Sequence, residues 1–301
     1  MQLFYTPDHA RVGDVIPYYE NGEFKLFYLK NWNPYFGSDK TYGWHLLTTK
    51  DLIHYESETA IGILGGTGCI IKVEGLYHLY YCVFEDQPQR QYVCHATSID
   101  LTNWTKYPDE TFGPDESIYL LTDWRDPHVI WNEEEKCWWM LLCAQSQGNT
   151  KRRGCVGLCK STDLHHWTCC APLYSPQSSM SAYECPDIFY MNGWWYLVFS
   201  QFTDRFQTLY RMSRSCNGPW IRPKTDSFDG RAFYAAKTCS DGEHRYILDG
   251  IQQEHKIRGI LIQIRHMRGM IIKRMIGAEV WFHMKFMQEK MEHWQFGQIQ
   301  H

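Results

Sequence analysis

The chain has 301 residues, of which 44% are hydrophobic and 21% charged, so it can form one large globular domain or two small ones. A net charge of −4 and a pI near 6.4 give no reason to expect nucleic acid or an anionic membrane as a partner. No apolar run approaches the roughly 18 residues that span a bilayer, and an aromatic content of 16% favours β-structure or a sugar-binding surface.

Cysteine usage bears on the cellular compartment. Most of the 12 cysteines fall within apolar segments, and none forms a Cys-x-x-Cys pair. The segment from Met1 to Tyr5 lacks the basic and apolar regions of a signal peptide. We therefore expect small buried thiols in a cytoplasmic protein, rather than a disulfide framework or a zinc site.

A repeated strand pattern runs through most of the chain and predicts its architecture. An aromatic strand follows a turn five times, and its central residue recurs at spacings of 53, 61, 57 and 50 residues, at Leu26, Leu79, Met140, Leu197 and Ile247. Repeats of this length, with about four strands each, are typical of β-propellers. The sequence thus predicts an all-β, five-bladed β-propeller.

The first strand of each predicted blade lies nearest the propeller axis, so its opening residues point into the central funnel. In chain order these openings are Asp14, Thr67-Gly68, Asp126, Glu184 and Phe233-Tyr234. Three carboxylates that are far apart in sequence are therefore predicted to share one pocket.

A second repeat, Ser/Thr-x-Asp-Leu-x-x-aromatic, occurs at residues 49–55, 98–104 and 161–167. Its Asp is expected to hold a turn through nearby backbone amides, while the Leu and the aromatic residue pack between sheets. His165-His166 lies in the third turn without a partner cluster in the sequence, so neither a metal site nor a cofactor is predicted.

Composition changes abruptly after Leu248. Residues 249–301 contain no Ser, Thr, Asn, Pro, Tyr or Cys, yet they hold six of the 11 methionines. We interpret residues 1–248 as the propeller and residues 249–301 as an atypical tail, either the product of a shifted reading frame or a short helical appendage. This division predicts an incomplete fifth blade.

Three carboxylates and an arginine can cleave a glycosidic bond. Such hydrolysis needs a proton donor for the leaving oxygen and a second carboxylate against the oxocarbenium-like centre. Glu184 has apolar neighbours that raise its pKa, which favours it as the donor. Asp14 is predicted to stay ionised through hydrogen bonds from adjacent amides and to act as nucleophile, while Asp126 and Arg125 hold substrate hydroxyls.

Three runs resemble motifs of glycoside hydrolase family 32, the invertase, levanase and inulinase group. Residues 124–129, 184–187 and 228–238 are similar to its Arg-Asp-Pro, Glu-Cys-Pro-Asp and Asp-Phe-Tyr-Ala motifs, within a likeness that covers residues 1–248. The resemblance implies a retaining β-fructofuranosidase acting on a small carbohydrate, sucrose or a fructo-oligosaccharide. It assigns Asp14 as nucleophile, Glu184 as acid and then base, and Asp126 with Arg125 to the fructose hydroxyls.

Other positions follow the family less closely. Trp44 looks like the Trp-Gly-His-Ala position, and Thr67-Gly68 like the Ser-Gly pair at the pocket floor. The usual Asn-Asp-Pro-Asn-Gly is replaced around Asp14, Leu29 takes the place of a family glutamine, and no C-terminal β-sandwich is expected. Trp32, Trp44 and Trp124 are candidates for substrate binding by stacking on a sugar, or else they pack between blades. Tyr234, at the opening of the fifth blade, is a further candidate for substrate binding.

Two alternatives remain open from the residues. One is a five-bladed arabinanase or xylosidase like those of family 43, which would invert the anomeric centre. The other is a truncated propeller that is inactive or only binds sugar, because an incomplete blade leaves strand edges exposed. The sequence does not distinguish between fructosides and does not predict an oligomeric state.

Overall fold

A computed structural model describes residues 4–5, 7, 10, 12–31, 43–86, 89–230, 233–250 and 271–272. These residues form nineteen β-strands in five sheets. In this part of the chain, no helix has the length and apolar character needed to cross a membrane.

The strands follow one another around the ring in chain order. A short N-terminal strand, β1 (Phe4–Tyr5), precedes the first sheet, which contains β2 (Val12–Glu20), β3 (Glu23–Lys30), β4 (Gly43–Thr49) and β5 (Tyr55–Ala60). The second sheet contains β6 (Gly68–Val73), β7 (Leu76–Asp86), β8 (Gln89–Ser98) and β9 (Thr105–Phe112). The third contains β10 (Tyr119–Asn132), β11 (Cys137–Ser146), β12 (Gly154–Ser161) and β13 (Thr168–Tyr174). The fourth contains β14 (Tyr183–Met191), β15 (Trp194–Gln201) and β16 (Gln207–Ser213). The fifth contains β17 (Lys237–Ser240), β18 (Arg245–Gly250), β19 (Ile271–Ile272) and β1.

Tight turns join the first two strands of the first and fourth blades. Asn21-Gly22 has φ angles of 54° and 80°, and Asn192-Gly193 has 50° and 82°. Two consecutive positive φ angles suit a two-residue hairpin, and Asn followed by Gly adopts them at low cost. The aromatic strand therefore pairs directly with the axial strand, as predicted.

Hydrophobic side chains fill the space between every pair of neighbouring sheets. Among the described residues, a large cluster of this kind lies in each of the five seams, and the one between the fifth and first blades joins Cys239 and Leu248 to Val15 and Leu26. Burial of an apolar side chain of this size contributes about 1.5–3 kcal/mol. The clusters hold five sheets around one axis and confirm the predicted propeller.

The fifth blade is small, as predicted. Its outer strands β19 and β1 have two residues each, and β1 brings the N-terminal end of the ring onto the last sheet. Tyr5 on β1 also donates a hydrogen bond to Glu58 on β5 in the first blade. Strand β18 extends two residues beyond 248 and β19 lies inside the predicted tail. The other tail residues lie outside the described ranges, so the reading-frame interpretation stays a prediction.

The Asp-Leu turns have the predicted structure. In the second blade, the Ser98 hydroxyl accepts a hydrogen bond from the Leu101 amide at 2.9 Å, and Asp100 accepts from the amides of Thr102 and Asn103 at 2.9 and 2.8 Å. The leucine has a φ of 67° and is buried. Because polar side chains bond the turn amides, this strained leucine can pack between sheets.

Candidate functional site

All three predicted carboxylates lie at irregularities of the axial strands. The pairing register shifts across Asp14 in the first blade, directly after Arg125 in the third, and directly after Glu184 in the fourth. Asp126 has a φ of 57°, and Cys185 has a φ of 49°. A β-bulge bends the strand and redirects its side chains, which is how a regular sheet can aim a carboxylate along the axis.

Two of the carboxylates meet at Cys185. Its backbone amide donates a hydrogen bond to Asp126 Oδ2 at 2.9 Å. Its sulfur lies 3.7 Å from Asp126 Oδ2 and 3.8 Å from Asp14 Oδ2. Groups from the first, third and fourth blades therefore converge at one point, as the sequence predicted.

Arg125 connects the third carboxylate to this point. Its Nη2 donates to Glu184 Oε1 at 2.6 Å, and its Nη1 donates to Asp123 Oδ1 at 2.6 Å and to Gln91 Oε1 at 3.3 Å. Its Nε lies 4.0 Å from Asp126 Oδ2. A planar guanidinium can bridge all these acceptors at once, whereas a single ammonium group cannot. The sequence did not identify Gln91 or Asp123 as part of the site.

Asp14 is held differently from the way that the sequence predicted. Its hydrogen-bond donor is the Thr67 hydroxyl of the second blade, not an adjacent amide. Burial and the charge of Asp126 raise the pKa of Asp14 to about 7, although Thr67 and Lys237 act in the opposite direction. The adjacent amides that were predicted to keep Asp14 ionised therefore do not take that role, and burial, with the charges of Asp126 and Glu184, favours the protonated form.

Glu184 has the raised pKa predicted for a proton donor. Burial raises the pKa of its carboxyl group, the guanidinium of Arg125 opposes that change, and Asp126 adds to it. The side chain is still 22% exposed, so a substrate oxygen can reach it.

Thr67-Gly68 lies where the second blade opens, as predicted. A Cβ atom on Gly68 would lie 1.8 Å from the Tyr80 carbonyl oxygen, so no other residue fits beside strand β7. This close strand pairing places the buried Thr67 side chain against Asp14. Gly68 therefore contributes to the site by fixing the position of Thr67.

The two described candidate tryptophans are buried. Trp44 is 1% exposed, donates from Nε1 to the Gly66 carbonyl at 3.1 Å and packs on Phe27. Trp124 is fully buried and packs on Tyr119. Stacking on a sugar requires an exposed ring face, so the structure supports the packing alternative for both. The third candidate, Trp32, lies outside the described residues.

Tyr234 lies beside the carboxylates in a small apolar cluster with Cys185 and Phe206. Its backbone amide donates to Asp249 Oδ2 at 3.0 Å, and its ring stacks on Phe206 with centroids 4.0 Å apart. The side chain is nearly buried. Tyr234 therefore contributes an apolar wall rather than an open platform.

Farther along the axis, a polar network holds the third, fourth and fifth blades together. Asp187 accepts hydrogen bonds at 2.7 Å from the amide and the hydroxyl of Thr238, and lies 3.3 Å from His128 Nε2. The buried Lys237 donates to the Pro186 carbonyl at 3.3 Å. His128, Asp187, Lys237 and Thr238 line an axial cavity of about 210 Å³ whose lining does not include the three predicted catalytic carboxylates. The last acid of the Glu-Cys-Pro-Asp run therefore bonds to the fifth blade instead of joining the carboxylates at Cys185.

Comparison with known proteins agrees with this geometry. The family profile described as "Glycosyl hydrolases family 32 N-terminal domain" matches residues 15–278. The match begins one residue after Asp14 and extends past position 248. The chain is 26% identical over 258 residues to the levanbiose-producing levanase of Bacillus subtilis, which covers 78% of this chain and 45% of the relative. It is 28% identical over 241 residues to the sucrose-6-phosphate hydrolase of Escherichia coli, covering 69% and 47%.

Solved structures share the fold. The family 32 β-fructofuranosidase of Bombyx mori superimposes with a TM-score of 0.67 at 21% identity, over 89% of this chain and 61% of the other. The sucrose-6-phosphate hydrolase of Lactobacillus gasseri gives 0.64 at 20% identity, over 83% and 56%. The chain spans about half the length of the levanase and the Escherichia coli hydrolase that it matches.

Proposed function

Because the chain belongs to glycoside hydrolase family 32, we propose that it cleaves terminal β-D-fructofuranosyl bonds by a retaining, two-carboxylate mechanism. The observation that carries this proposal is the convergence of Asp14, Asp126 and Glu184 from three blades on Cys185 and Arg125. Membership of family 32 also favours this reaction over the inverting chemistry of the family 43 alternative.

In the proposed first step, an Asp14 oxygen attacks the anomeric carbon of the fructosyl unit, and the bond to the leaving oxygen breaks. Glu184 gives its proton to that oxygen, so the leaving group departs as an alcohol. In the second step, Glu184 takes a proton from water, whose oxygen displaces Asp14 from the anomeric carbon. The two displacements together retain the anomeric configuration.

Asp126 and Arg125 are proposed to hold the sugar. The Cys185 amide fixes Asp126 Oδ2 before any substrate arrives, and Asp123 and Gln91 fix the guanidinium of Arg125. A preorganised acceptor and donor lose little entropy when they bind hydroxyl groups. They can therefore orient the anomeric carbon toward Asp14.

The proposed reaction needs opposite protonation states in its two carboxyl groups. The reaction needs Asp14 ionised and Glu184 protonated, and burial raises the pKa of both carboxyl groups. The rate should therefore rise as Asp14 loses its proton and fall as Glu184 loses its own. A bell-shaped pH profile is the expected result.

The substrate is proposed only as a class. The matched relatives include proteins named levanase and sucrose-6-phosphate hydrolase, and a fructosyl unit is common to levan and sucrose 6-phosphate. We therefore propose a small fructoside as substrate, either sucrose, its phosphate or a short fructan. A cytoplasmic location stays a prediction that is based on the cysteine content.

The leaving group provides a sharp test. We expect Glu184→Gln to lower turnover of sucrose by about 10²–10⁴-fold, because a general acid contributes that much. An aryl β-D-fructofuranoside with an acidic phenol leaving group needs no proton, so its fructosyl transfer step should lose far less. Glu133→Gln, on the exposed β10–β11 turn, is the matched control and should retain full activity on both.

The parent chain is first assayed against sucrose, sucrose 6-phosphate, inulin and levan, and NMR identifies the anomer formed first. Equal losses in the rate of the fructosyl transfer step on both leaving groups would exclude Glu184 as the acid, and an inverted first product would exclude the retaining mechanism. A folded parent chain without turnover on any fructoside would favour the non-catalytic, sugar-binding alternative.

A further inference from the structure

A cluster of titratable side chains lies away from the axis, at the seam between the second and third blades. His95 on β8 and Glu110 on β9 come from the second blade, and His165 comes from the Asp-Leu turn of the third. One ligand atom from each lies within 4.8 Å of the other two. Among the described residues, this is the group whose donor atoms are arranged to hold a metal ion.

We propose that His95, Glu110 and His165 form a binding site for one zinc-class transition-metal ion. The ligands are His95 Nδ1, His165 Nδ1 and a carboxylate oxygen of Glu110. Two imidazoles and one carboxylate are a donor set that zinc takes at sites with three protein ligands and a bound water. The expectation from sequence that His165 lacks a partner cluster is wrong, because its partners are 55 and 70 positions away in the chain.

The present distances are close to those that an ion requires. His95 Nδ1 lies 2.5 Å from Glu110 Oε2, and His165 Nδ1 lies 2.8 Å from Glu110 Oε1. In a tetrahedral site with metal–ligand bonds near 2.0–2.2 Å, ligand atoms are about 3.3 Å apart. Each of these two His–Glu pairs thus needs to separate by less than about 1 Å, and the ligand atoms of the two histidines lie within 4.8 Å of each other. The Glu110 and His165 side chains are 21% and 38% exposed, which leaves them room to move and gives the ion a path from solvent.

A fourth side chain already occupies the position of an outer partner. His78 Nδ1 lies 3.0 Å from His95 Nε2, the ring nitrogen that faces away from the proposed ion. Metal-bound imidazoles usually donate this second N–H to a fixed acceptor, which sets their tautomer and orientation. When an ion displaces the hydrogen from His95 Nδ1, the proton moves to Nε2 and bonds to His78.

The cluster links the two blades with or without an ion. Without the ion, Glu110 accepts hydrogen bonds from two imidazoles and joins the two blades. With the ion, the same three residues would join them through coordinate bonds, so zinc should stabilise the propeller.

The experiment is zinc titration of the EDTA-treated, dialysed chain by calorimetry, followed by thermal unfolding with ZnCl2, MgCl2 or EDTA. We expect one zinc per chain and a higher melting temperature in zinc but not in magnesium, because imidazole ligands do not suit magnesium. His165→Gln and Glu110→Gln should each weaken zinc binding by more than about tenfold.

His166→Gln is the matched control. His166 is the next residue in the same turn, pairs with Asp163 at 2.8 Å and lies outside the cluster. The His166→Gln variant should therefore bind zinc as tightly as the parent chain. Thermal unfolding in EDTA establishes whether each variant is folded. If His165→Gln does not fold, zinc binding by Glu110→Gln tests the proposal.

Two results would overturn the proposal. One is a parent chain that takes up no zinc at a single site, and the other is a folded His165→Gln or Glu110→Gln variant that binds zinc as tightly as the parent. The cluster would then be a hydrogen-bonded link between blades only. Neither readout depends on fructosidase activity, so the test is separate from that of the proposed function.

Discussion

The hydrogen bond from Thr67 to Asp14 offers a direct test of how the site controls the proposed nucleophile. Valine has nearly the same shape as threonine but lacks the hydroxyl, so Thr67→Val removes the donor and leaves the buried packing almost unchanged. A hydrogen bond to a charged group is worth about 1.5–3 kcal/mol. Its loss should therefore raise the pKa of Asp14 by about 1–2.

The consequence for activity follows from the starting value. With a pKa of about 7, about half of Asp14 is ionised at pH 7 in the parent chain. A pKa higher by about 1–2 reduces that fraction, and with it kcat/KM at pH 7, about 5- to 50-fold. The sign is definite: the nucleophile is lost as pH falls through its pKa, so the acidic limb moves to higher pH.

The assay is the pH dependence of kcat/KM on sucrose or a short fructan from pH 4 to 9. Thr97→Val is the matched control, since Thr97 is buried on β8 and its hydroxyl contacts Tyr107 rather than the site. An acidic limb that stays in place in Thr67→Val, whatever the change in rate, would refute the assignment of that limb to Asp14.

Three further predictions concern the guanidinium, the closure of the ring and acid stability. Arg125→Lys should lower kcat/KM about 10- to 100-fold, because an ammonium group cannot bridge the acceptors that the guanidinium of Arg125 bonds. Unchanged kinetics would mean that Arg125 only caps a strand. Burial raises the pKa of Glu58, but hydrogen bonds from Lys30 and Tyr5 outweigh burial and lower this pKa to about 2. The ionised Glu58 therefore stabilises the folded chain above pH 4.5, and this stabilisation is lost as the pH falls below 4.5. In urea unfolding, Glu58→Gln should therefore lower the free energy of unfolding by about 1–3 kcal/mol. Glu56→Gln, at an exposed position on the same strand, should change it by less than about 0.5 kcal/mol. Burial lowers the pKa of His78 to about 4, so stability should fall by about 2–3 kcal/mol between pH 6.5 and 4, and a flat urea midpoint over that range would contradict the neutral buried imidazole.

The fold was largely predictable because its signals are local. Alternation of side chains within strands, the Asn-Gly turns and the Asp-Leu turns all depend on residues a few positions apart. Since the aromatic strand recurs five times and the Asp-Leu turn three times, the propeller and its axial strands could be predicted. The order of the strands then placed Asp14, Asp126 and Glu184 at the mouths of three blades.

The contacts made by those residues could not be predicted in the same way. Glu184 and Cys185 lie 59 positions from Arg125 and Asp126, and Gln91 lies 34 from Arg125. Such contacts depend on the angle between blades and on the bulges, neither of which leaves a local pattern. For this reason Gln91 and Asp123 were missed.

Sequence alone determined the number of blades, the strand that faces the axis and the three carboxylates that open those strands, because each follows from spacing along the chain. Only the tertiary structure decided how those groups are solvated and paired. It buried Trp44 and Trp124, raised the pKa of Asp14 to about 7 and brought His165 to His95 and Glu110. Burial and electrostatic interaction depend on distances through space, and a sequence of residue types does not contain those distances.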